Sequence, residues 1–405
     1  MRKVILYTRS LRVILLSLVA VGAARGPVAR RVADDRAGFV TTLGRDTIAL
    51  ESFTRSASRL EGDIVLRVPG TVLFHYVLNL ESDGTVSRSV LDLKPLGVPN
   101  MPARRTTLDF VGDSVRVDID SAGVSRQRTV AAKKGAVPLL TTGFGASLGI
   151  YTSFGMYELL LSHLPIHASD TAKVVTVGAL SGAVTTKPFL RPSATRVEVD
   201  FFRIAWMHVK LDENGHIVSA DAIETTEKTQ TKRTDFIDIP TAAKEYAASD
   251  RAGRGLGLAS PDTLVRTKLG PANIVLEFGR PSRRNREILG NVVPYDKVWR
   301  TGANAASALS SDRELTIGGK TIPAGSHTLW TLPKRDGVDL IINRQVGQWG
   351  TEYDPSRDLV RIPMTVSAAA APQEQFAITI TGSGNSGELH IQWDTFVWSV
   401  PVTVK

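Results

Sequence analysis

The 405-residue chain contains no cysteine. This excludes a thiol nucleophile, a cysteine zinc site and a lipobox-type acylated N-terminus. An exported chain of this length does not need disulfides, so their absence is silent about compartment. The sequence also lacks a His-Glu-x-x-His pattern and a phosphate loop. Gly253-Arg-Gly-Leu-Gly257 places glycines at alternate positions, but no strand leads into it and no helix clearly leaves it. It reads as a helix stop and an interdomain linker rather than a dinucleotide loop.

The start of the chain reads as a secretory signal peptide over residues 1–24. Arg2, Lys3, Arg9 and Arg12 form a basic beginning. Val13 to Val21 is an apolar run too short to cross a bilayer as a helix, and Val21-Gly-Ala23 is a small-residue cleavage site. A retained signal anchor is the alternative. The signal-peptide reading predicts export to a periplasm or to the exterior. The same segment holds four of the positive charges behind the formal net charge of +9. The remaining excess is small, and the Arg-rich stretches 25–36 and 280–286 lack interleaved aromatics. Nucleic-acid binding is therefore not expected.

Length predicts two domains of ordinary size, and the patterns on either side of a junction near residue 250 are both mostly β. Residues 38–240 read as an N-terminal antiparallel β domain with one helix. Short runs rich in β-branched residues are separated by Pro69-Gly70, Asp83-Gly84 and Gly112-Asp113, which are turn signals. In Ser114 to Asp120 the alternation is strict, with Val115, Val117 and Ile119 on one face and Arg116, Asp118 and Asp120 on the other. From Gly135 to Tyr157 there is no charged residue, and Met156 to Leu164 reads as a short helix stopped by Pro165. Glycines, Pro138 and the missing basic flank argue against a transmembrane span there. A loop and helix buried against a curved sheet is the expectation, with an apolar insertion facing lipid or a cavity as the alternative. Strands return over 172–177, 195–202, 204–211 and 217–223, with Asn214-Gly215 as a hairpin signal. A curved sheet with one packed helix is loosely similar to the half-barrels of envelope lipoprotein carriers, in architecture only.

Histidines do not assemble a metal site in this reading. His163 and His167 are separated by Pro165, which breaks the helical geometry they would need, and His208 and His216 lack a third ligand. No cofactor is implied.

Residues 241–260 read as a helix and linker, and 261–405 as a C-terminal antiparallel β-sandwich. Gly318-Gly319 turns one hairpin and the Gly382 to Gly387 run another. Phe376, Ile378 and Ile380, then Leu389, Ile391 and Trp393, then Phe396, Trp398, Val400 and Val402 form inward rows, with His390 on the polar face. Pro401 predicts an edge or a bulge in the last strand.

The densest part of this domain is Val293-Pro-Tyr-Asp-Lys-Val-Trp-Arg-Thr-Gly-Ala-Asn-Ala-Ala306. Tyr295, Asp296, Trp299, Arg300 and Asn304 need many fixed partners, so the stretch is either a structural keystone or part of a ligand site. With His327, Gln348 and Trp349 these are the candidate binding residues. Trp299 and Trp349, in turn-like contexts beside Arg300, Asn304 and Gln348, suit stacking on a sugar ring or peptide with hydrogen bonds at its edge. The opposing view is that Arg300 and Asn304 merely satisfy buried loop backbone.

Together with Gly279-Arg-Pro-Ser282, Ile288-Leu-Gly290, Ile317-Gly-Gly-Lys320, Ile322-Pro-Ala-Gly325, Leu329-Trp-Thr-Leu-Pro333, Gln348-Trp-Gly350 and Tyr353-Asp354, this stretch resembles, in order, the motifs of the uncharacterised bacterial family DUF2911. The resemblance implies an exported β-sandwich-like domain and brings no activity. The resemblance also implies that Ala305 and His327 stand where many relatives carry Glu and Tyr, which weakens any catalytic role for those positions.

Three functions follow as expectations. The first is an exported, non-catalytic protein binding a small molecule, glycan or lipid in the envelope. The second is a carrier of a lipid or other apolar ligand through the N-terminal domain. The third is a hydrolase near His327 and the Trp299 loop, using Asp296, Glu352 or Asp354 as the carboxylate partner.

Overall fold

The structure, a computed structural model, describes residues 35–142, 151–164, 171–201 and 205–405. The predicted signal peptide, Pro165, His167 and part of the uncharged stretch lie outside the described residues.

Among the described residues, the N-terminal half places fifteen strands in one sheet. Alternation drives it: in the strand Val72–Leu80, the residues Val72, Phe74, Tyr76 and Leu78 are fully buried while His75 and Val77 are not. From Asp35–Leu43 the chain runs outward through successive antiparallel hairpins to Val124–Ala131. On the other side of Asp35–Leu43 lies Gln230–Thr234, with Phe39 opposite Arg233. The order then continues back through the chain to Thr171–Gly178 and ends on Val137–Leu139, which is parallel to its neighbour. The sheet curls so far that its two wings meet. Leu108, Val115 and Val117 of one wing pack with Val177 of the other and with Ala132 and Ala136 of the segment that joins them, and Thr106 Oγ1 donates to the Leu180 carbonyl at 3.3 Å.

Helix α1 (Phe154–Ser162) fills the inside of the curl. Ser153 caps it by accepting from Met156 N, and every residue from Phe154 to Leu161 is buried. A helix buried on every face belongs in an interior. The described part of the uncharged stretch is thus packed against the curved sheet.

One acidic residue is built into this core. Glu51 is fully buried. Its Oε1 accepts from Ser153 Oγ at 2.6 Å, Tyr76 OH at 2.9 Å and Gly155 N at 3.1 Å, and its Oε2 from Tyr151 OH and Phe154 N, both at 2.7 Å. Burial pushes its pKa up while these donors pull it back. The carboxylate sits on the positive end of α1 and ties that helix to the sheet. A second buried group, Glu158, pairs with Arg233 and lies 3.7 Å from Arg55.

Helix α2 (Ile239–Arg251) begins at the cap Asp238 and packs on the outer face of the same sheet, with Ile239 and Ala243 against Leu50 and Val65. Asp250 Oδ2 accepts from Thr71 N at 2.7 Å. Gly253, at φ 71, ends the helix in the left-handed region, as the glycine run predicts.

The C-terminal domain is a nine-stranded antiparallel sheet folded over on itself into a sandwich. Two long strands make the fold. The first part of Asp358–Ser383 pairs with Val338–Asn343, and the rest pairs with Ser386–Val404, so these strands pass from one layer into the other. The predicted rows from Phe376 to Val402 are buried between the layers. Pro401 falls beyond the last pairing with Asp358–Ser383, and its carbonyl accepts from Gly318 N at 2.9 Å.

The linker is packed rather than loose. Leu256 and Ala259 lie on Leu43, Ile48 and Val68 of the first domain. The buried Arg284 pairs with Asp46, and its carbonyl accepts from Arg45 N at 3.0 Å. Gly44 is required at this junction: a Cβ there would stand 2.3 Å from the Arg284 carbonyl oxygen.

Candidate functional site

The stretch Val293–Ala306 enters the sandwich as an irregular segment anchored to one strand. Trp299 N donates to the Thr331 carbonyl at 2.8 Å, and Thr331 N returns the bond at 2.9 Å. Asp296, Thr301 and Asn304 have φ of 60, 52 and 63. For Thr301, β-branched and fully buried, this is a costly conformation, held by Oγ1 contacts to the Trp299 carbonyl at 3.3 Å and Thr331 Oγ1 at 3.2 Å.

This segment forms one wall of a cleft of about 800 Å³ between the two domains. The C-terminal wall carries Trp299, Arg300, Asn304, Trp349 and Tyr353. The N-terminal wall carries Ile48, Val68, Tyr151 and the loop Glu224 to Thr229, while Leu258 to Ser260 of the linker closes one side. Trp299 is half-buried and lies flat on Trp393, ring centres 6.2 Å apart and planes 13° apart, with Phe376 and Trp398 against its edges. Tyr151, on the opposite wall, is fixed by its bond to Glu51.

The predicted residues divide. Trp299, Arg300, Asn304 and Trp349 line the cleft. Asn304 is committed to structure: its Nδ2 donates to the Ser260 carbonyl at 3.0 Å and approaches Asp262 Oδ1 at 3.4 Å, tying the linker down. Arg300 is not so committed. Its Nε is buried with no partner, and its stem lies over Gly350, where a Cβ would be 2.1 Å from Arg300 Cδ. The other predicted residues are not among those lining the cleft. Tyr295 lies under the Arg335 guanidinium, 5.4 Å from its ring centre, and Asp296 is exposed. Gln348 is buried and its Nε2 donates to Thr328 Oγ1 at 3.1 Å.

His327 is buried beside Leu329 on one strand face, and its Nδ1 has no partner. Burial and Arg344 lower its pKa. Among the described residues it is paired with no carboxylate. Glu352 instead accepts from Trp349 N, Asp354 caps the turn Pro355–Arg357, and Tyr353 OH donates to Asp358 at 2.7 Å.

The described histidines of the first domain are engaged separately. His163 bonds to the carbonyls of Leu159 and Gly84, His208 pairs with Glu198, and His216 with Asp212. No group of three His, Asp or Glu residues that could hold a metal occurs among the described residues. No helix among them is long and apolar enough to cross a membrane. Gly145-Ala-Ser-Leu-Gly149 has the spacing of a nucleophile elbow and lies outside the described residues. Its flanks, Thr141–Thr142 and Tyr151–Thr152, pair with each other.

Sequence reasoning missed the cationic part of the cleft. Lys228, Arg286 and Lys297 line it together with Arg300. Lys228 sits at φ 58 in the N-terminal loop, and burial with Arg300, Arg286 and Lys297 nearby brings its pKa down to about 8. Burial lowers Arg300 and Arg286 to about 10. Lys228 belongs to a polar run without periodicity, and only folding brings it opposite Arg300.

No curated protein matches this chain. The crystal structure of a DUF1089 family protein from Pseudomonas aeruginosa is similar over 43% of this chain and 89% of that one, at 12% identity and a TM-score of 0.32, too distant to carry an argument. Residues 260–402 match the family described as "Protein of unknown function (DUF2911)", so the C-terminal domain, which forms one wall of the cleft, resembles that family.

Proposed function

We propose that this is an exported, non-catalytic binding protein whose site is the cleft between the two domains. The observation that carries the reading is the cleft itself. About 800 Å³ of space is walled by Trp299, Trp349, Tyr353 and Tyr151, with polar groups at its edge. That size and mixture suit a small molecule with a flat or ring-shaped part. The carrier alternative would use the inside of the curled sheet, but α1 occupies that space. The hydrolase alternative would use His327, which stands apart from the cleft and beside a cation.

Mass spectrometry of organic extracts from the natively purified full chain tests the reading. A stoichiometric small molecule is expected, lost from Trp349→Ala and retained by Val366→Ala, which changes an exposed residue of the sandwich. A molecule retained equally by Trp349→Ala, or none in any preparation, would overturn it.

A further inference from the structure

The charge arrangement in the cleft says what kind of molecule it takes. We infer that the ligand is a small ring-bearing oxyanion, a phosphate or carboxylate on a sugar or aromatic ring, whose charged group is held by Lys228, Arg286, Lys297 and Arg300. This rests on the reading of the cleft as a ligand site.

Four cations from two domains line one recess. Among the described residues, Lys228, Lys297 and Arg300 have no ion-pair or hydrogen-bond partner for their side chains, and Arg300 Nε is both buried and unpaired. A guanidinium in that position is costly unless an acceptor arrives. Arg286 is aimed by its own loop: Nε donates to the Arg283 carbonyl at 3.0 Å and Nη2 to the Ser282 carbonyl at 2.6 Å. The acids of the cleft are turned to other work. Asp262 receives Asn304, and Glu224 is largely exposed and 3.6 Å from His208. Glu227 lies near Lys187, and burial raises its pKa to about 7. Planar guanidinium groups match oxyanions bidentately, and the aromatic walls would take the ring beside them.

The groups facing Lys228 are Arg286, Lys297 and Arg300 from the sandwich, with Glu224 and Glu227 from its own loop and Asp262 from the linker side. Raising the pH through 7 ionises Glu227, and raising it through about 8 discharges Lys228. Both changes make the recess less positive, so anion affinity falls as the pH rises. A bound anion favours the charged lysine and shifts this loss upward.

Isothermal titration of the full chain with phenyl phosphate and with neutral phenyl β-D-glucoside tests the inference. Phenyl phosphate should bind the tighter of the two, with Kd raised about tenfold or more by Arg300→Gln or by Lys228→Gln. Between pH 7 and 9, where phenyl phosphate keeps a constant charge, its Kd should rise by about tenfold in the parent and much less in Lys228→Gln. Lys228 is half-buried in a loop and its side chain has no partner to lose among the described residues, so its variant keeps the test clear of misfolding. If both probes bind equally and Lys228→Gln changes neither, the anion inference falls while the cleft reading stands. If neither binds, or if binding survives Trp349→Ala unchanged, the cleft reading falls with it.

Discussion

Glu51→Ala is expected to destabilise the N-terminal domain by about 4 kcal/mol, the range seen when one member of a buried charged network is removed. Two tyrosine hydroxyls, one serine hydroxyl and two backbone N–H groups would lose their common acceptor inside the core. Glu51→Gln should fare little better. Each carboxylate oxygen accepts from a backbone N–H, Gly155 on one side and Phe154 on the other, so either orientation of the amide turns its NH₂ against a fixed donor. Denaturant unfolding followed by circular dichroism measures both. Tyr151 would lose its anchor too, which links this buried acid to the shape of the cleft.

Trp299→Ala should cost about 3 kcal/mol, at the low end for deleting a large aromatic because the ring is only half-buried. It removes a ring that contacts Trp393, Phe376 and Trp398 and opens the sandwich core to the cleft. Trp299→Phe, which keeps a ring against Trp393, should recover roughly half of that loss. The backbone bonds to Thr331 are untouched in both variants, so the difference reports ring packing. Thermal unfolding monitored by tryptophan fluorescence separates the outcomes, and equal stability of the three proteins would show that the ring adds nothing to the core.

Much of the fold can be read from local pattern. Asp83-Gly84, Asn214-Gly215 and Gly318-Gly319 are hairpin signals and lie in hairpin turns, and the inward rows from Phe376 to Val402 are buried as their alternation requires. What local pattern cannot carry is pairing across long separations. Asp35–Leu43 lies beside Gln230–Thr234 because the sheet curls, and no property of either strand names the other. Glu51 reads as a polar position on a β run; it is buried because α1 brings its N-terminus over that position. In the candidate site, the density of Trp299, Arg300 and Asn304 marks a segment that lines the cleft, since large side chains with many polar atoms need partners wherever they fall. It does not divide them by role. Asn304 secures the linker, whereas Arg300 is left free, and that distinction depends on Ser260 and Gly350, which only the folded chain brings close. Lys228 is invisible for the same reason: its meaning comes from the domain opposite.

Hydrogen–deuterium exchange of the full chain with and without saturating phenyl phosphate tests whether the cleft between the domains is the binding site. Slowed exchange is expected on both walls at once, in the loop 224–229 of the N-terminal domain and in 297–304 and 349–353 of the sandwich. Slowing confined to α1 and the strands around it, or no change on either wall at saturation, would contradict it.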